Sequence, residues 1–379
     1  MKIALVAGEA SGDLLGAGLI RAIRERVPDA RFEGVAGPEM VAAGCELIED
    51  ADTLAVMGLV EPLKVLPKLL RIRRALVKRW TASPPDVFVG IDAPDFNMGL
   101  ELALRRAGVA TVHYVAPQVW AWREGRVKTI RKATDCVLCI LPFETGFFAK
   151  HGVRAEFVGH PKASKVPAFA TAAAARQHLG LAESGPLIAV LPGSRTSEVT
   201  KLGAEFAQAA ALLHKDRSDL RFVTPLARPG LRSIFEKNLA DAGVSDAFTV
   251  IDGDSEAAMI AADIVLLASG TAALEAALLC RPAVAAYRMA AMTAWIFRSF
   301  NLLKIDTFTM PNLITNKPYI PEFIQEDVKS EDIAGALAGL LDDPERVAEI
   351  RERFATLRTE LALDADQRAA DVIVDLASK

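Results

Sequence analysis

The sequence predicts two doubly wound α/β domains, because short apolar segments alternate with helix-like segments along most of the chain. In the first half, strand-like runs occur at 3–7, 31–36, 87–91, 109–115, 136–141 and 155–158, with a helix predicted over 14–26. The second half repeats the plan at 187–191, 221–224, 248–251, 264–268 and 283–287. Such alternation is typical of a parallel sheet covered by helices on both faces. The chain has 379 residues, 51% of them hydrophobic, which is enough for two cores.

The predicted domain boundary follows Gly159-His160-Pro161. A polar and alanine-rich stretch, 162–184, separates the last predicted strand of the first half from the first strand of the second. This gives domains at 1–161 and 162–345, with a cleft expected between them. The remaining segment, 346–379, is predicted to be helical, and one option is that its last helix crosses back onto the first domain.

Composition and charge limit the partners. The formal net charge is −4 and aromatic residues make up 6% of the chain, so nucleic acid is not an expected partner. The amino-terminal apolar run ends at Gly8, which is too short for a signal peptide or a membrane span. We expect a cytoplasmic protein with, at most, peripheral membrane contact. Cys136 and Cys139 fall in an apolar strand and are expected to be buried, reduced thiols.

Two glycine turns in the second half directly follow apolar strands. The first is Leu191-Pro-Gly-Ser-Arg195, with Glu198 after it, and the second is Ser269-Gly-Thr-Ala-Ala-Leu-Glu275. Each opens a predicted helix, so its free backbone N–H groups favour an anion. Neither turn matches the motif of nucleotide hydrolases or of dinucleotide-binding folds. We expect a nucleotide diphosphate to bind there, contacted by Gly193, Ser194, Arg195, Glu198, Ser269, Gly270 and Thr271.

An acid and two arginines complete this predicted donor side. With Thr271 taken as the helix cap, a capping box needs an acid at position 274, where Leu274 stands. Glu275 is therefore expected to bind ribose hydroxyls, and the alternative is an acid that compensates the helix dipole. Arg195 offers a planar guanidinium to phosphate, although a surface ion pair is the alternative. Arg288, after the strand 283–287, is a second candidate cation.

Carboxylates follow the predicted strand 87–91, in the segment Gly90-Ile-Asp-Ala-Pro-Asp-Phe-Asn97. They lie at the carboxyl end of that strand, where a general base would face the cleft. Transfer to a sugar hydroxyl benefits from a carboxylate that accepts the proton, and Asp92 is the candidate base. Asp95 is the alternative base, or only the cap of the next helix.

The first predicted strand leads into Gly8-Glu-Ala-Ser-Gly-Asp13, followed by Gly16 and Gly18. A glycine inside a helix costs about 1 kcal/mol against alanine, so something is expected to approach this backbone closely. The alternatives are helix-on-sheet packing and a bound sugar or acceptor. Two Asp-x-Asp sequences, 252–254 and 364–366, are interpreted as caps, and neither a metal nor a cofactor is expected.

A basic amphipathic helix is predicted over 63–80. Its basic residues recur at helical spacing without an interrupting acid: Lys64, Lys68, Arg71, Arg74 and Lys78. Another stripe contains Leu63, Leu66, Leu70, Val77 and Trp80. This pattern in an acidic protein favours the surface of an anionic membrane. The alternative is an apolar stripe packed in the core with a solvated basic face.

Seven motifs in order resemble the lipid-A-disaccharide synthase family. They are Ala7-Gly-Glu-Ala-Ser-Gly-Asp13, Ala55-Val-Met-Gly58, Gly90-Ile-Asp-Ala-Pro-Asp-Phe-Asn97, Tyr114-Val-Ala-Pro-Gln-Val-Trp-Ala-Trp-Arg123, Leu141-Pro-Phe-Glu144, Leu191-Pro-Gly-Ser-Arg195 and Ala268-Ser-Gly-Thr-Ala-Ala-Leu-Glu275. The similarity covers nearly the whole chain, and seven motifs in order are far more specific than one.

The resemblance implies a metal-independent GT-B glycosyltransferase at the cytoplasmic face of the inner membrane. It would transfer 2,3-diacylglucosamine from its UDP derivative to the 6-hydroxyl of 2,3-diacylglucosamine 1-phosphate (lipid X), with inversion and Asp92 as base. The product would be the β-1,6-linked disaccharide 1-phosphate. Asn312 and Gln325 would join the donor site. The acceptor side would comprise Glu9, Ser11, Gly12, Asp13, Asp95, Asn97, Gln118 and Trp120. The oligomeric state stays open, and a homodimer is one option.

One departure and two alternative functions complete the interpretation. The family usually has an apolar residue and an acid where Lys162 and Ser164 stand, so no role is assigned to that side of the cleft. A UDP-sugar 2-epimerase would use a similar fold and similar phosphate turns, but it has no need of the basic helix. A non-catalytic nucleotide-sugar sensor would not depend on Asp92 for any property except binding.

Overall fold

The computed structural model describes residues 1–55, 62–289 and 307–378, and the chain divides into two compact units. Unit 1 comprises Met1–Ser164 and Leu361–Lys379, and unit 2 comprises Lys165–Glu360. Each unit is built on one parallel sheet with helices packed against it. The predicted fold class, two Rossmann-like α/β units, is confirmed.

Unit 1 contains a seven-stranded sheet in the order β3-β2-β1-β4-β5-β6-β7. Its strands are β1 (Lys2–Ala7), β2 (Arg31–Ala36), β3 (Cys45–Asp50), β4 (Val87–Ile91), β5 (Ala110–Tyr114), β6 (Cys136–Cys139) and β7 (Ala155–Phe157). The helices that follow these strands are α1 (Ala10–Arg26), α2 (Pro38–Ala42), α3 (Asp52–Ala55), α4 (Pro62–Ala82), α5 (Pro94–Arg106), α6 (Val119–Trp122), α7 (Val127–Ala133) and α8 (Pro142–Lys150).

Unit 2 contains a six-stranded sheet in the order β10-β9-β8-β11-β12-β13. Its strands are β8 (Leu187–Leu191), β9 (Arg221–Leu226), β10 (Phe248–Asp252), β11 (Ile264–Ala268), β12 (Ala283–Tyr287) and β13 (Glu322–Ile324). The helices are α9 (Ala172–His178), α10 (Thr196–Asp216), α11 (Arg232–Ala242), α12 (Ser255–Ala261), α13 (Thr271–Leu278), α14 (Met310–Thr315), α15 (Ser330–Asp342) and α16 (Pro344–Leu361). The last helix, α17 (Ala365–Ala377), belongs to unit 1.

Both faces of each sheet are covered, which explains why the central strands are continuous apolar runs. Successive residues of β1 point to opposite faces: Ile3 and Leu5 pack in the core beneath α1 and α17, whereas Ala4 and Val6 pack in the core beneath α4 and α5. The sequence did not reveal β3 and β13. The first is an edge strand with several exposed charged residues, and the second has only three residues.

Both sheets reverse their strand order at a central pair, β1 and β4 in unit 1 and β8 and β11 in unit 2. Ligands of doubly wound sheets bind in the crevice at the carboxyl ends of such a pair. The loops that leave these four strands are 8–9, 92–93, 192–195 and 269–270. They belong to the four segments that the sequence singles out, so each unit has one candidate site at its reversal point.

Two helical glycines of α1 serve packing between helices. A Cβ on Gly16 would lie 2.5 Å from the sulfur of Met40 on α2, and a Cβ on Gly18 would overlap the carboxylate of Asp366 on α17. A Cβ at either position would force the Met40 or Asp366 side chain to move, so both glycines let neighbouring helices approach α1 closely. The close approach at Gly16 and Gly18 is therefore mainly by other helices, whereas the packing expected from the sequence was of helix on sheet.

The apolar side of α4 packs in the core of unit 1. Leu69, Leu76 and Trp80 are buried there, whereas Leu66 is 47% exposed. The predicted stripe was therefore partly wrong, because the helix turns Leu69 and Leu76 toward the sheet and Leu66 away from it. The basic residues Lys68, Arg71, Arg74 and Lys78 are exposed. The side chain of Lys64 lies outside the described part of the structure. No helix in the described ranges has the length and hydrophobicity of a membrane span.

Candidate active site

A cavity of about 400 Å³ opens at the reversal point of unit 2. Both glycine turns line it, and so do the ends of the two neighbouring strands. The lining residues are Leu191, Gly193, Ser194, Arg195, Glu198, Pro225, Ala227, Gly253, Ser255, Ala268, Ser269, Gly270, Thr271, Ala272 and Glu275. The eight residues that the sequence predicts from the two turns and Glu275 are therefore in one place. The pocket has the size of a small-molecule site.

The second turn presents the amino end of α13 to this cavity. Gly270, not Thr271, is the residue that caps α13, and its φ of +154° is a conformation that glycine adopts most readily. Among the described residues, no side chain caps this helix end. The first-turn N–H groups and the positive end of the helix dipole therefore favour an anion in the cavity.

The first turn is closed by its own helix, contrary to the expectation of free N–H groups. Glu198 Oε2 accepts hydrogen bonds from the backbone N–H groups of Ser194 (2.9 Å) and Arg195 (3.2 Å). Gly193 has a φ of +121°, and a Cβ there would lie 2.5 Å from Glu198 Cβ. The first role of Glu198 is thus to hold this turn. The Arg195 guanidinium is the group of this turn that can bind an anion. The Arg195 side chain is 73% exposed, and its Nη1 lies 3.3 Å from Glu198 Oε1.

Arg288 is not part of the cavity lining, and its predicted contact with the donor stays a hypothesis. Its guanidinium donates to the carbonyl oxygens of Gln325, Lys201 and Val328, at 3.3, 3.1 and 2.5 Å. It also forms an ion pair of 3.0 Å with Glu205. These contacts tie the end of β12 to α10 and to the segment after β13, so Arg288 has a structural task in this conformation.

Asn312 and Gln325 also lie outside the lining of the cavity. Asn312 is buried, its Nδ2 donates to Ile320 O and Glu322 Oε1 at 2.8 Å each, and its Oδ1 accepts from Ile320 N at 2.9 Å. Gln325 Oε1 accepts from the backbone N–H of Met289 at 2.5 Å. Both side chains therefore organise the chain around β13, and their predicted contact with a donor stays a hypothesis.

Four lining residues were missed by sequence reasoning: Pro225, Ala227, Gly253 and Ser255. Pro225 lies near the end of β9, Ala227 follows that strand, and Gly253 and Ser255 follow β10. The carboxyl ends of both strands meet the same edge of the sheet as β8. The strand order, had it been known from the sequence, would have identified these residues as neighbours of the two turns. The neighbouring acids have structural partners, since Asp252 pairs with Arg232 at 3.2 Å and Asp254 with His178 at 2.7 Å.

In unit 1, Asp92 lies in a strained turn directly after β4. Asp92 and Ala93 have φ values of +50° and +43°, a left-handed conformation that is uncommon for residues with a Cβ. The turn approaches Gly8 so closely that a Cβ there would lie 2.5 Å from Ala93 Cβ. The Asp92 N–H donates to Tyr114 O at 2.8 Å. Consecutive strained residues are concentrated at functional sites, which supports a role for this turn.

Two residues assigned to the acceptor side are buried and have structural partners instead. The Asp13 carboxylate accepts hydrogen bonds from the backbone N–H groups of Gly37 (2.9 Å), Glu39 (2.9 Å) and Met40 (3.0 Å). It thereby compensates the amino end of α2. Asn97 has no exposed surface, and its Nδ2 donates to Asp92 O at 2.8 Å. Asn97 therefore supports the turn and does not contact solvent.

The remaining predicted acceptor residues are more accessible. Asp95 forms an ion pair with Arg126 at 2.6 Å. Trp120 is half-buried and donates from Nε1 to Glu144 at 3.2 Å, and burial raises the pKa of Glu144 to about 7. Three further candidates, Glu9, Ser11 and Gln118, are exposed, whereas Gly12 is buried under β1 and β4.

Solved structures identify the fold. A UDP-GlcNAc 2-epimerase from Neisseria meningitidis, bound to UDP-GlcNAc, is similar over 99% of this chain and 100% of its own, with a TM-score of 0.68 and 13% identity. A glycosyltransferase from Rickettsia africae covers 100% of this chain and 98% of its own, with a TM-score of 0.63 and 13% identity. The protein therefore has the GT-B fold of glycosyltransferases and UDP-GlcNAc 2-epimerases.

Sequence similarity is more specific than the fold. A model of the lipid-A-disaccharide synthetase family matches residues 3–375. The lipid-A-disaccharide synthase of Alkalilimnicola ehrlichii is 50% identical over 379 residues, covering 100% of this chain and 99% of the relative. That of Chromohalobacter salexigens is 49% identical over 376 residues, covering 99% and 97%. The chain belongs to the lipid-A-disaccharide synthase family, as its motifs predict.

Proposed function

We propose that the protein transfers 2,3-diacylglucosamine from UDP-2,3-diacylglucosamine to the 6-hydroxyl of lipid X, giving the β-1,6-linked lipid A disaccharide 1-phosphate and UDP. The observation that carries this proposal is the cavity at the amino end of α13, in a chain of this family. It has the size and the electrostatics for a nucleotide diphosphate. The curated relatives named above bear the name of a synthase that makes a disaccharide.

The donor diphosphate is assigned to the first-turn N–H groups of α13 and to the Arg195 guanidinium. Both lie on the same cavity, and both interact most strongly with negative charge. Glu275 lies one turn into α13 and also lines the cavity, which suits a carboxylate that accepts hydrogen bonds from ribose hydroxyls. As the sugar leaves the diphosphate, these groups stabilise the negative charge that develops on UDP.

Asp92 is the proposed general base. The acceptor 6-oxygen attacks the anomeric carbon and forms a new C–O bond, while the bond from that carbon to the phosphate oxygen breaks and its electron pair leaves with UDP. The proton of the 6-hydroxyl passes to the Asp92 carboxylate, and a single displacement inverts the anomeric configuration. A positioned carboxylate typically accelerates such a transfer by about 10²- to 10⁴-fold.

Product analysis tests this proposal directly. The protein is mixed with UDP-diacylglucosamine and lipid X, with and without a chelator, and the products are identified by mass spectrometry. The expected result is disaccharide 1-phosphate in both samples. Disaccharide that forms only without chelator would contradict a metal-independent transfer. A product in which the donor sugar is epimerised, with no disaccharide, would favour the 2-epimerase alternative.

We also propose that the basic side of α4 holds the protein against an anionic membrane surface. Because the apolar side of α4 is buried in unit 1, this contact depends on charge, and basic residues near such a surface contribute about 1 kcal/mol each. The exposed basic set is Lys68, Arg71, Arg74 and Lys78. Both lipid substrates would then be reached at the membrane.

Vesicle binding tests the membrane contact. Replacing the four basic residues of this set by Gln should release the protein from vesicles rich in phosphatidylglycerol at low salt. A matched variant removes four exposed charges of other helices of unit 1, Arg106, Lys128, Lys132 and Lys150, and should stay bound. Equal binding of both variants to the vesicles would contradict the proposal that α4 holds the protein at an anionic membrane.

A further inference from the structure

A buried polar cluster lies next to the Asp92 turn, between α5 and the sheet of unit 1. It consists of Asn97 and Glu101 on α5 and His113 on β5, all with 0% exposure. His113 Nδ1 lies 2.7 Å from Glu101 Oε1. A Cβ on Gly90 of β4 would lie 2.9 Å from Asn97 Cβ and would overlap Glu101 Oε1. Gly90 thus provides the space in which both side chains of α5 reach the strand that carries Asp92.

The orientation of the Asn97 amide is determined by its neighbours. Its nitrogen faces three backbone carbonyl oxygens, those of Asp92 at 2.8 Å and of Val6 and Ile91 at 3.4 Å each. A carbonyl oxygen only accepts hydrogen bonds, so the atom that faces it must be Nδ2 and not Oδ1. Asn97 Oδ1 therefore points away from the turn and needs a donor from elsewhere.

Three buried atoms of the cluster have no hydrogen-bond partner among the described residues: Asn97 Oδ1, Glu101 Oε2 and His113 Nε2. If Glu101 were ionised and His113 protonated, two acceptors would lack a donor and the Nε2–H would lack an acceptor. A proton on Glu101 Oε2 would make this atom a donor, and Asn97 Oδ1, one turn away on the same face of α5, is the acceptor of the cluster that needs one. Only the unprotonated His113 Nε2 is then left without a partner, so the protonated carboxyl satisfies the cluster best.

We propose that Glu101 and His113 are positioning residues for Asp92, an inference that rests on the proposed function in taking Asp92 as the base. His113 donates from Nδ1 to Glu101, protonated Glu101 donates to Asn97, and Asn97 donates to the Asp92 carbonyl. This chain of hydrogen bonds holds the left-handed turn and hence the carboxylate that it carries. Burial raises the pKa of Glu101, which agrees with a neutral carboxyl at this position.

Two substitutions at Glu101 distinguish this role from simple packing. Glu101→Gln keeps an acceptor for His113 and a donor for Asn97, because its amide copies the protonated carboxyl. Glu101→Leu keeps the volume and removes both bonds. We expect the Gln variant to retain kcat within about twofold, and the Leu variant to lose about 10- to 100-fold in kcat with an unchanged KM for the UDP-sugar.

Amide hydrogen exchange provides a readout that does not depend on activity. The Asp92 N–H, which donates to Tyr114 O, should exchange faster in Glu101→Leu than in the wild type and normally in Glu101→Gln. Nitrogen chemical shifts of His113 should report a neutral ring with its proton on Nδ1. An imidazolium ring at neutral pH, or a Gln variant as impaired as the Leu variant, would overturn the proton assignment.

Thr111→Val is the matched control on the same strand. Thr111 is buried and donates to Ala133 O at 2.8 Å, away from the Asp92 turn. Its loss should lower the melting temperature without changing kcat or exchange at Asp92. Positioning by Glu101 is contradicted if Glu101→Leu matches this control in both readouts. If the wild type forms no disaccharide, the proposed function fails, and exchange at Asp92 still decides whether the cluster holds the turn.

Discussion

The Asp92 turn shows how single residues establish a candidate catalytic group. Two consecutive left-handed residues with a Cβ cost roughly 1–3 kcal/mol each, so neighbouring contacts must hold them. Three contacts do so: Gly8 leaves room for Ala93, Tyr114 O accepts from the Asp92 N–H, and Asn97 donates to the Asp92 carbonyl. A strained backbone that neighbouring contacts hold in place indicates a functional role for Asp92 more clearly than its carboxylate alone.

Substitution of Gly8 tests this geometry. Gly8→Ala places a Cβ 2.5 Å from Ala93 Cβ, so we expect a loss of about 1–3 kcal/mol in the free energy of unfolding and a lower kcat. The double variant Gly8→Ala/Ala93→Gly removes the clash and should recover most of both. Urea unfolding and steady-state kinetics measure the effects. Gly125→Ala, where no atom lies within 4 Å of the new Cβ, is the control. Failure of the double variant to recover would mean that the clash is not the cause.

Gly270 offers a parallel test in unit 2. Its φ of +154° places alanine in a strained conformation, although no atom obstructs a Cβ there. Gly270→Ala should therefore reorient the amino end of α13 and weaken UDP binding about 10-fold or more in calorimetry. Gly230→Ala, also unobstructed and without a positive φ, should bind UDP normally. Unchanged affinity in Gly270→Ala would argue against an anion site at this helix end.

At the scale of elements, a buried carboxylate adds a polar attachment between α4 and its sheet to the apolar packing. Glu33 of β2 accepts from Trp80 Nε1 at 2.7 Å and from Arg79 Nη2 at 2.9 Å, and Lys2 Nζ lies 3.1 Å away. Burial raises the pKa of Glu33, but the hydrogen bonds from Arg79, Trp80 and Lys2 outweigh it and lower the pKa to about 2. The ionised form is thus the one that holds the basic helix in place.

This lowered pKa predicts a pH dependence of stability. A depressed folded-state pKa contributes stability above the ordinary value of 4.5, which is lost as the pH falls toward about 2. Relative to Glu33→Gln, the wild type should be more stable by about 3 kcal/mol at pH 7, and the difference should shrink steadily between pH 4.5 and 2. Urea unfolding at several pH values measures it. A difference that stays constant from pH 7 to pH 3 would contradict this assignment.

In α17, the carboxylate of Asp366 has a pKa shifted in the direction opposite to that of Glu33. Burial against α1, together with the nearby Asp364, raises the pKa of Asp366, so its charged form opposes docking of the helix. A raised pKa means stability that is present at low pH and lost as the pH rises. Asp366→Asn should therefore raise the melting temperature at pH 7, and the gain should vanish in acid. Asp371→Asn, which loses a 2.6 Å ion pair with Arg26, should bring no gain. An equal gain in both variants would refute a specific cost at Asp366.

At the scale of the whole molecule, periodicity predicted the two α/β units and most of their strands, whereas the strand order and the edge strands β3 and β13 came only from the structure. Each of the four singled-out segments follows a central strand, because a parallel strand must end where its buried apolar run ends. The cavity-lining residues of the two turns were found for the same reason. Their convergence on one cavity depends only on strand order.

The sequence could not assign the partners of polar side chains. Glu198, Asn312 and Asp13 carry the residue types of a binding site, yet they hold a turn, a strand and a helix end. Such partners lie up to 27 residues away along the chain, as from Asp13 to Met40, so spacing does not reveal them. The Glu101 and His113 pair was missed likewise, because the contact forms only when α5 packs on the sheet.

The most direct test of the central claim compares Asp92→Asn with Asp95→Asn in single-turnover assays with UDP-diacylglucosamine and lipid X. If Asp92 is the base, its substitution should reduce the rate of disaccharide formation by about 10²- to 10⁴-fold, while calorimetry shows unchanged affinity for UDP. Asp95→Asn removes only the partner of Arg126 and should stay active. Full turnover by Asp92→Asn, or loss confined to Asp95→Asn, would contradict the assignment of Asp92 as the base.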